Sequence, residues 1–268
     1  MTNGKMVHSE VSGGVLTLTL DRPAVHNALN HEMLDGLFAG LRQAASRPDV
    51  RVVVIAAKGP NFSAGIDLAH MKRLNTMARE DSVADGMQIA ELLAAIHKLA
   101  QPTIAAVQGP VVGGGLALVA ACDLLLASDA ARFSAAETRL GLVPVLLTPY
   151  LIEKIGRNAA RRLLLTCDRI DAHEALRIGL ADQVVAAGDL PTAVADTAHR
   201  IAKSAPGALA ATKKLLSGHR ELPLSDASMR EAAEMIATAR AGAEAGEGIA
   251  AFLAKGKPSW APATDLPS

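Results

Sequence analysis

Wholly apolar runs alternate with helical stripes along most of this chain. Val15–Leu20 alternates in the manner of a half-buried strand, and Val52–Ala57 and Thr103–Val107 are continuous apolar stretches, the mark of strands buried on both faces. An opening strand over Met6–Glu10 joins Val15–Leu20 through the turn Ser12-Gly13-Gly14. His31–Ala45 sets Met33, Leu34, Leu37, Phe38 and Leu41 on one helical face, behind Asn30, whose side chain suits an N-cap. Leu68–Asp85 has no clean period and carries Lys72, Arg73, Arg79, Glu80 and Asp81, which predicts a mobile loop or irregular helix beside a site. Helix is predicted again over Val83–Leu99 and Leu116–Ala121, with a strand at Leu124–Ala127. Short helices follow at Thr148–Ile155, Ala159–Leu165 and Ala172–Ile178, then a strand at Gln183–Val185. From Leu190 the pattern is helical only, over Thr192–Ser204, Gly207–Leu216 and a long stretch through Met229–Phe252. The fold class is α/β: a core over 1–204 and a helical subdomain over 205–268, parted near Ala205-Pro206-Gly207.

Composition narrows the classes. Half of the 268 residues are hydrophobic, yet there are only one Trp, one Tyr and four Phe, so Ala, Val, Leu and Ile must fill the core. A formal net charge of zero makes no case for a nucleic-acid or membrane-surface partner. Cys122 and Cys167 sit in apolar surroundings and fit a reduced compartment rather than a disulfide framework. Met1–Lys5 is short and polar for a signal peptide, and the apolar Val111–Ala127 region is broken by three glycines and Asp123 before it reaches transmembrane length. These features predict a cytoplasmic protein. No His/Cys/Asp spacing resembles a metal site, and none is expected.

Two glycine-bearing segments carry the candidate chemistry. Asn61-Phe62-Ser63-Ala64-Gly65-Ile66-Asp67-Leu68 leaves the Val52–Ala57 strand, and Gly109-Pro110-Val111-Val112-Gly113-Gly114-Gly115-Leu116 leaves Thr103–Val107 and enters an apolar helix. Such turns free backbone N–H groups, and a helix start adds partial positive charge. Two N–H groups aimed at one point stabilise a developing oxyanion. Read alone, the triple glycine serves equally well as a tight structural turn. A phosphate loop is disfavoured, because no Lys-Ser/Thr pair follows. Glu137, in Phe133-Ser134-Ala135-Ala136-Glu137-Thr138-Arg139-Leu140-Gly141, is a carboxylate placed among apolar residues, where proton transfer is favoured over solvation only if it is enclosed.

These segments, in this order, resemble the crotonase (enoyl-CoA hydratase/isomerase) superfamily, together with Asp21-Arg22-Pro23-Ala24-Val25-His26-Asn27-Ala28-Leu29-Asn30, Arg177-Ile178-Gly179-Leu180-Ala181-Asp182 and the ending Phe252 to Trp260. The resemblance runs from about Val15 to Trp260 and implies a spiral of ββα units with a C-terminal helical trimerisation subdomain, assembling as a homotrimer or a hexamer. It implies that the N–H groups of Ile66 and Gly114 form an oxyanion hole and that Glu137 moves the proton. It places coenzyme A, as part of an acyl-CoA thioester substrate rather than a resident cofactor, against Ala28, Ala64, Asp67 and Leu68. Phe252 and Lys255 are implied to reach a neighbouring subunit's ligand, with Lys255 near a phosphate. His26 falls in the coenzyme A-contacting turn.

One departure weighs on the reaction. Hydratases of this family carry a second glutamate two residues after the triple glycine; here Ala117 stands there. A 1,3-proton shift needs one base, so an isomerase remains the alternative. Arg22–Ala28 and Arg139–Tyr150 look like the methylglutaconyl-CoA hydratase-like branch, which hydrates branched, carboxylated enoyl-CoAs and can lack that first glutamate. The reading is therefore an enoyl-CoA hydratase, with Lys72, Arg73 and His70 as candidate partners for a substrate carboxylate and the 68–87 segment setting acyl specificity. A non-catalytic scaffold or an RNA-binding relative is the reading of another class.

Overall fold

The computed structural model describes residues 5–74, 76–217 and 225–262. Strands β1 (Val7–Ser12) and β2 (Val15–Leu20) form a hairpin, and helix α1 (His31–Ser46) precedes β3 (Val52–Ala57). Helices α2 (Leu68–Leu74) and α3 (Arg79–Lys98) lead to β4 (Thr103–Val107), β5 (Pro110–Val112) and α4 (Gly114–Ala121). Then come β6 (Leu124–Ser128), β7 (Arg132–Ser134), a 3-10 turn at Glu137–Leu140, and α5 (Thr148–Thr166). The core closes with β8 (Ile170–Asp171), α6 (Ala172–Arg177), β9 (Gln183–Val185) and α7 (Leu190–Ala202). After it, α8 (Pro206–Ser217), α9 (Asp226–Ala241) and α10 (Ala243–Leu253) are the described elements. Residues 218–224 and 263–268 of the predicted tail subdomain lie outside the described residues.

The strands make a six-stranded sheet, β1-β2-β3-β4-β6-β9, and a three-stranded sheet, β5-β7-β8. Apart from the opening hairpin, the large sheet is parallel. Two successive turns of chain place one strand in the large sheet and the next in the small one before a helix returns it: β4, β5, α4, then β6, β7, α5. This is the expected ββα spiral. Period-two alternation sorts the apolar residues of the large sheet. Val53, Ile55, Ala105, Val107 and Leu125 face the main core with α1 and α4, whereas Val52, Val54, Ile104 and Leu126 pack on Leu190, Val194 and Ala198 of α7. Buried leucines such as Leu16, Leu37 and Leu92 each contribute roughly 1.5–3 kcal/mol of apolar transfer.

Several boundaries differ from the sequence expectation. β5, β7 and β8 are two or three residues long, too short to show alternation, and were not predicted. The pair predicted at Thr148–Ile155 and Ala159–Leu165 is present as two helical segments within α5, parted at the non-helical Gly156 (φ 71°, ψ 163°). The stretch Met229–Phe252 is broken by the extended Gly242 (φ −73°, ψ 152°). The segment after Leu68, predicted as a loop or irregular helix, is two helices. α3 buries Leu92, Leu93 and Ile96 only in its second half, so its first turns show no apolar stripe to read.

Polar contacts tie the tail helices to the core. Lys213 of α8 donates to the Asp123 carboxylate at 2.6 Å, which also accepts from the Thr103 N–H (2.7 Å) and hydroxyl (2.8 Å). Arg51, just before β3, donates to the carbonyls of Ser204 and Trp260. Glu244 caps α8 by accepting from the Gly207 and Ala208 N–H groups.

Candidate active site

The site lies where the carboxyl ends of β3 and β4 meet the small sheet. After β3 the chain is held on both sides. Phe62 N–H donates to the Pro110 carbonyl (3.0 Å), Val112 N–H to the Ser63 carbonyl (2.9 Å) and Ala64 N–H to the His26 carbonyl (2.9 Å). Leu29 N–H donates to Gly65 O (2.7 Å) and Asp67 N–H to Leu29 O (2.9 Å), a parallel bridge between Leu29 and Ile66. In that register the N–H of Ile66 points away from its partner strand, and among the described residues no acceptor takes it. Asn27, fully buried, sews this frame together: its carbonyl oxygen accepts from Arg22 N–H (2.8 Å) and its amide donates to Lys58 O (2.8 Å) and Asn61 O (2.9 Å).

The second open N–H is that of Gly114, the first residue of α4. Ala117 N–H already reaches back to the Gly113 carbonyl (3.1 Å), so the N–H groups of the preceding turn, Gly114 among them, have no partner within the helix, and no side chain caps it. The two glycine segments abut. A Cβ on Gly65 would lie 2.9 Å from Val112 O and 3.4 Å from Gly114 N, and one on Gly114 would lie 3.2 Å from Ile66 Cδ1. Gly113 adopts φ 52°, ψ −119°, a conformation that side chains oppose, and its own N–H is tied to Ser134 O (3.0 Å).

Parallel pairing of Val112 with Ser134 carries β7 alongside β5 and delivers Glu137 to the mouth of α4. Glu137 Oε1 lies 3.2 Å from the point a Cβ on Gly113 would occupy. Its Oε2 is buried without a hydrogen-bond partner among the described residues. Burial pushes the Glu137 carboxyl above its ordinary value, and a hydrogen bond from its own backbone offsets this only in part. The 3-10 turn is pinned from below by the Thr138 hydroxyl, 2.8 Å from Cys167 Sγ and 3.3 Å from Leu164 O, and it ends at Gly141 in the left-handed region (φ 73°). Ala117 is buried one turn into α4 and offers no polar atom.

The other predicted site residues divide into two sets. Ala28, Ala64, Asp67 and Leu68 share one neighbourhood with Ile66: Ala64 is exposed at the rim, and Leu68 opens α2. Arg22 spans Ala28 and Asp67, donating from Nη1 to the Ala28 carbonyl (2.6 Å) and the Asp67 carboxylate (3.0 Å). His26, in the left-handed region (φ 55°), contacts Asn61 through Nδ1 at 2.6 Å. Phe252 and Lys255 are not brought to this neighbourhood. Phe252 lies in the last turn of α10 and Lys255 just beyond it, both exposed, and the following Trp260 is tethered to Arg51 at the amino end of β3, opposite the site. Of the residues expected to meet a substrate carboxylate, two are engaged within the protein: His70 is buried with Nε2 2.8 Å from Asp85 Oδ1, and Arg73 Nη2 lies 3.3 Å from His70 Nδ1. Sequence reading missed Asp85 and the role of His31 in that cluster, because the three residues come from separate helices. It also missed the buried amide of Asn27, although Asn27 lies inside one of the segments that carry the family resemblance.

The fold is that of the crotonase class of α/β proteins. A crystal structure of an enoyl-CoA hydratase from Shewanella pealeana superposes with a TM-score of 0.91 at 32% identity, covering 95% of this chain and 96% of that one. Pseudomonas aeruginosa AtuE superposes with a TM-score of 0.89 at 36% identity, covering 96% and 99%. The sequence profile of the enoyl-CoA hydratase/isomerase family matches residues 10–263, and the chain belongs to that family. It is 34% identical over 248 residues to the 2,3-dehydroadipyl-CoA hydratase of Escherichia coli K12, covering 92% of this chain and 94% of the relative.

Proposed function

We propose that this protein hydrates an enoyl-CoA thioester. The observation that carries the proposal is the buried, unpartnered Oε2 of Glu137 beside the open helix start at Gly113-Gly114. The thioester oxygen sits between the N–H groups of Ile66 and Gly114. As a water oxygen bonds to Cβ, Glu137 takes its proton and the Cα=Cβ electron pair moves toward the thioester, forming an enolate held by the two donors. The same carboxyl then delivers that proton to Cα, so the elements of water are added and Glu137 ends as it began. A raised carboxyl pKa suits a group that must act as base and then as acid.

Coenzyme A enters only as part of the substrate, with its pantetheine and adenine against the rim formed by Ala28, Ala64, Asp67 and Leu68. The exposed apolar residues Leu140, Leu142, Val143 and Val145 follow Glu137 directly and favour an apolar acyl group over a charged one. Engagement of His70 and Arg73 within the protein leaves Lys72, exposed on α2, as the one cation of the predicted trio open to a substrate carboxylate. The apolar surface that α8, α9 and α10 leave exposed, with Leu216, Ile236, Ile249, Phe252 and Leu253, supports a homotrimer or a dimer of trimers, which light scattering on the purified chain tests. No helix among the described residues is long and apolar enough to cross a membrane, and we place the enzyme in the cytoplasm.

Ala117 favours a second reading, an isomerase in which Glu137 removes a proton from Cα of a 3-enoyl-CoA and returns it at Cγ. Mass spectrometry in 18O-water with a panel of 2-enoyl- and 3-enoyl-CoAs separates the two. Gain of one labelled water, abolished in Glu137→Ala, supports the hydratase. A moved double bond at unchanged mass replaces it with the isomerase. No conversion over the panel, with Glu137→Ala indistinguishable from the parent in acyl-CoA binding, returns the scaffold reading.

A further inference from the structure

Three helices that share no local sequence pattern bring a metal-competent set of side chains to one point. His31 opens α1 directly after its Asn30 cap, His70 lies on α2 and Asp85 on the first half of α3. Asp85 Oδ1 is 2.8 Å from His70 Nε2 and 3.3 Å from His31 Nε2, the imidazole centroids are 4.8 Å apart edge to face, and the three ligand atoms all lie within 4.8 Å of one another. A four-coordinate ion with bonds of about 2.0–2.2 Å needs its ligand atoms roughly 3.3–3.5 Å apart. The observed set meets that spacing after small side-chain adjustments. We propose that His31, His70 and Asp85 form a binding site for a divalent transition metal of the zinc class, with a fourth position open to water.

The donor set selects the class of ion. Two imidazole nitrogens and one carboxylate oxygen suit Zn2+, Co2+ or Ni2+, whereas Mg2+ and Ca2+ require oxygen ligands in larger number. The surroundings orient the ligands as metal sites do. Gln88 donates from its amide nitrogen to Asp35 Oδ1 (3.0 Å), an acceptor-only partner that fixes which end of the amide faces His31. Gln88 Oε1 therefore accepts from His31 Nδ1–H, and the Nε2 of His31 is presented to the cluster. His70 and Asp85 have side chains only 7% and 9% exposed, and His31 is 45% exposed, so an ion enters and keeps its water on the His31 side. One contact must give way. Arg73 Nη2 faces His70 Nδ1 at 3.3 Å, and that nitrogen carries hydrogen once Nε2 binds an ion, so the exposed guanidinium turns out into solvent.

A bound ion would clasp the weakly packed α2 and the start of α3 to α1. His31 follows closely on Leu29, the bridge partner of Ile66, so the clasp stiffens the frame beside the first glycine segment without touching it. The assignment does not depend on the proposed reaction.

The test is Co2+ titration of chelator-treated full-length protein, read by visible d–d absorption and calorimetry, beside His31→Ala, Asp85→Asn and Gln88→Ala. One equivalent should bind with low-symmetry, high-intensity bands and be displaced by Zn2+. Affinity should fall by about 100-fold or more in His31→Ala and Asp85→Asn, and by about 10-fold in Gln88→Ala, which loses only the orienting contact. His31 is nearly half exposed, so its variant is expected to keep the fold, which a metal-free melt verifies. Zn2+ should raise the melting temperature of the parent but not of His31→Ala. Absence of d–d bands in the parent, or equal binding by the parent and both ligand variants, overturns the proposal and leaves a hydrogen-bonded cluster.

Discussion

Two carboxylates stand at the two glycine segments, in opposite surroundings. Asp67 closes the first segment and is saturated: burial opposes its charge, but the Ala69 N–H (2.8 Å) and the Arg22 guanidinium (3.0 Å) prevail and hold its pKa below the ordinary 3.8. Glu137 sits beside the second with one buried oxygen unpartnered, and burial lifts its pKa above the ordinary 4.5. A satisfied buried group builds the frame, because removing a partner exposes a desolvation penalty. An unsatisfied one costs stability and is retained where chemistry uses it. On the proposed function the first segment is a frame and the second a reaction centre: Asp67 belongs to the first segment in sequence, whereas Glu137 reaches the second only through the pairing of β7 with β5.

The largest test of that contrast is Glu137→Gln. Turnover should fall by about 10²–10⁴-fold, while the melting temperature holds or rises. The sign follows from linkage. A folded-state pKa raised above 4.5 means that the Glu137 contribution is fully present below 4.5 and is lost as pH rises through the folded value. The stability advantage of Gln over Glu at neutral pH should therefore vanish in melts below pH 4.5. A variant that keeps its turnover dissolves the distinction between the segments.

Gly113→Ala comes next. The new Cβ would press on Glu137 Oε1 at 3.2 Å in a backbone conformation that side chains oppose, so stability should drop by about 1–3 kcal/mol and turnover should drop with it. Chemical denaturation and initial rates on the same preparation check both. Asn27→Ala acts on the frame instead. It orphans the Lys58 carbonyl and the Arg22 N–H, leaves the Asn61 carbonyl only its Gln108 Nε2 donor (3.2 Å), and should cost about 2–3 kcal/mol, with the pKa read from the pH–rate profile unchanged. A moved profile would tie frame and reaction centre more closely than the contrast allows.

The smallest effect is expected of Asp67→Asn, about 1–2 kcal/mol at neutral pH from weakened Arg22 and Ala69 contacts. Here the sign reverses. A depressed folded pKa contributes stability above 3.8 that is lost as pH falls through the folded value, so parent and variant should converge only in acid melts below 3.8. Convergence at neutral pH would remove Asp67 from the frame.

What local pattern controls is legible in the chain itself. β2, β3 and β4 match their predicted bounds, because a strand inside a sheet must be apolar on the faces it buries, and the edge strand β9 matches as well. α1 begins at its predicted residue, with Asn30 Oδ1 accepting from Met33 N–H at 3.0 Å, because capping is settled within one turn of chain. The glycines and Glu137 stand out as residue types suited to oxyanion and proton chemistry. Only the tertiary structure decided that Glu137 Oε2 is buried without a partner while Asp67 gains Arg22, that the small sheet aligns β7 with β5, and that His31, His70 and Asp85 meet. Burial and hydrogen-bond partners of a side chain are supplied by elements distant in sequence, and no local periodicity records which elements those are.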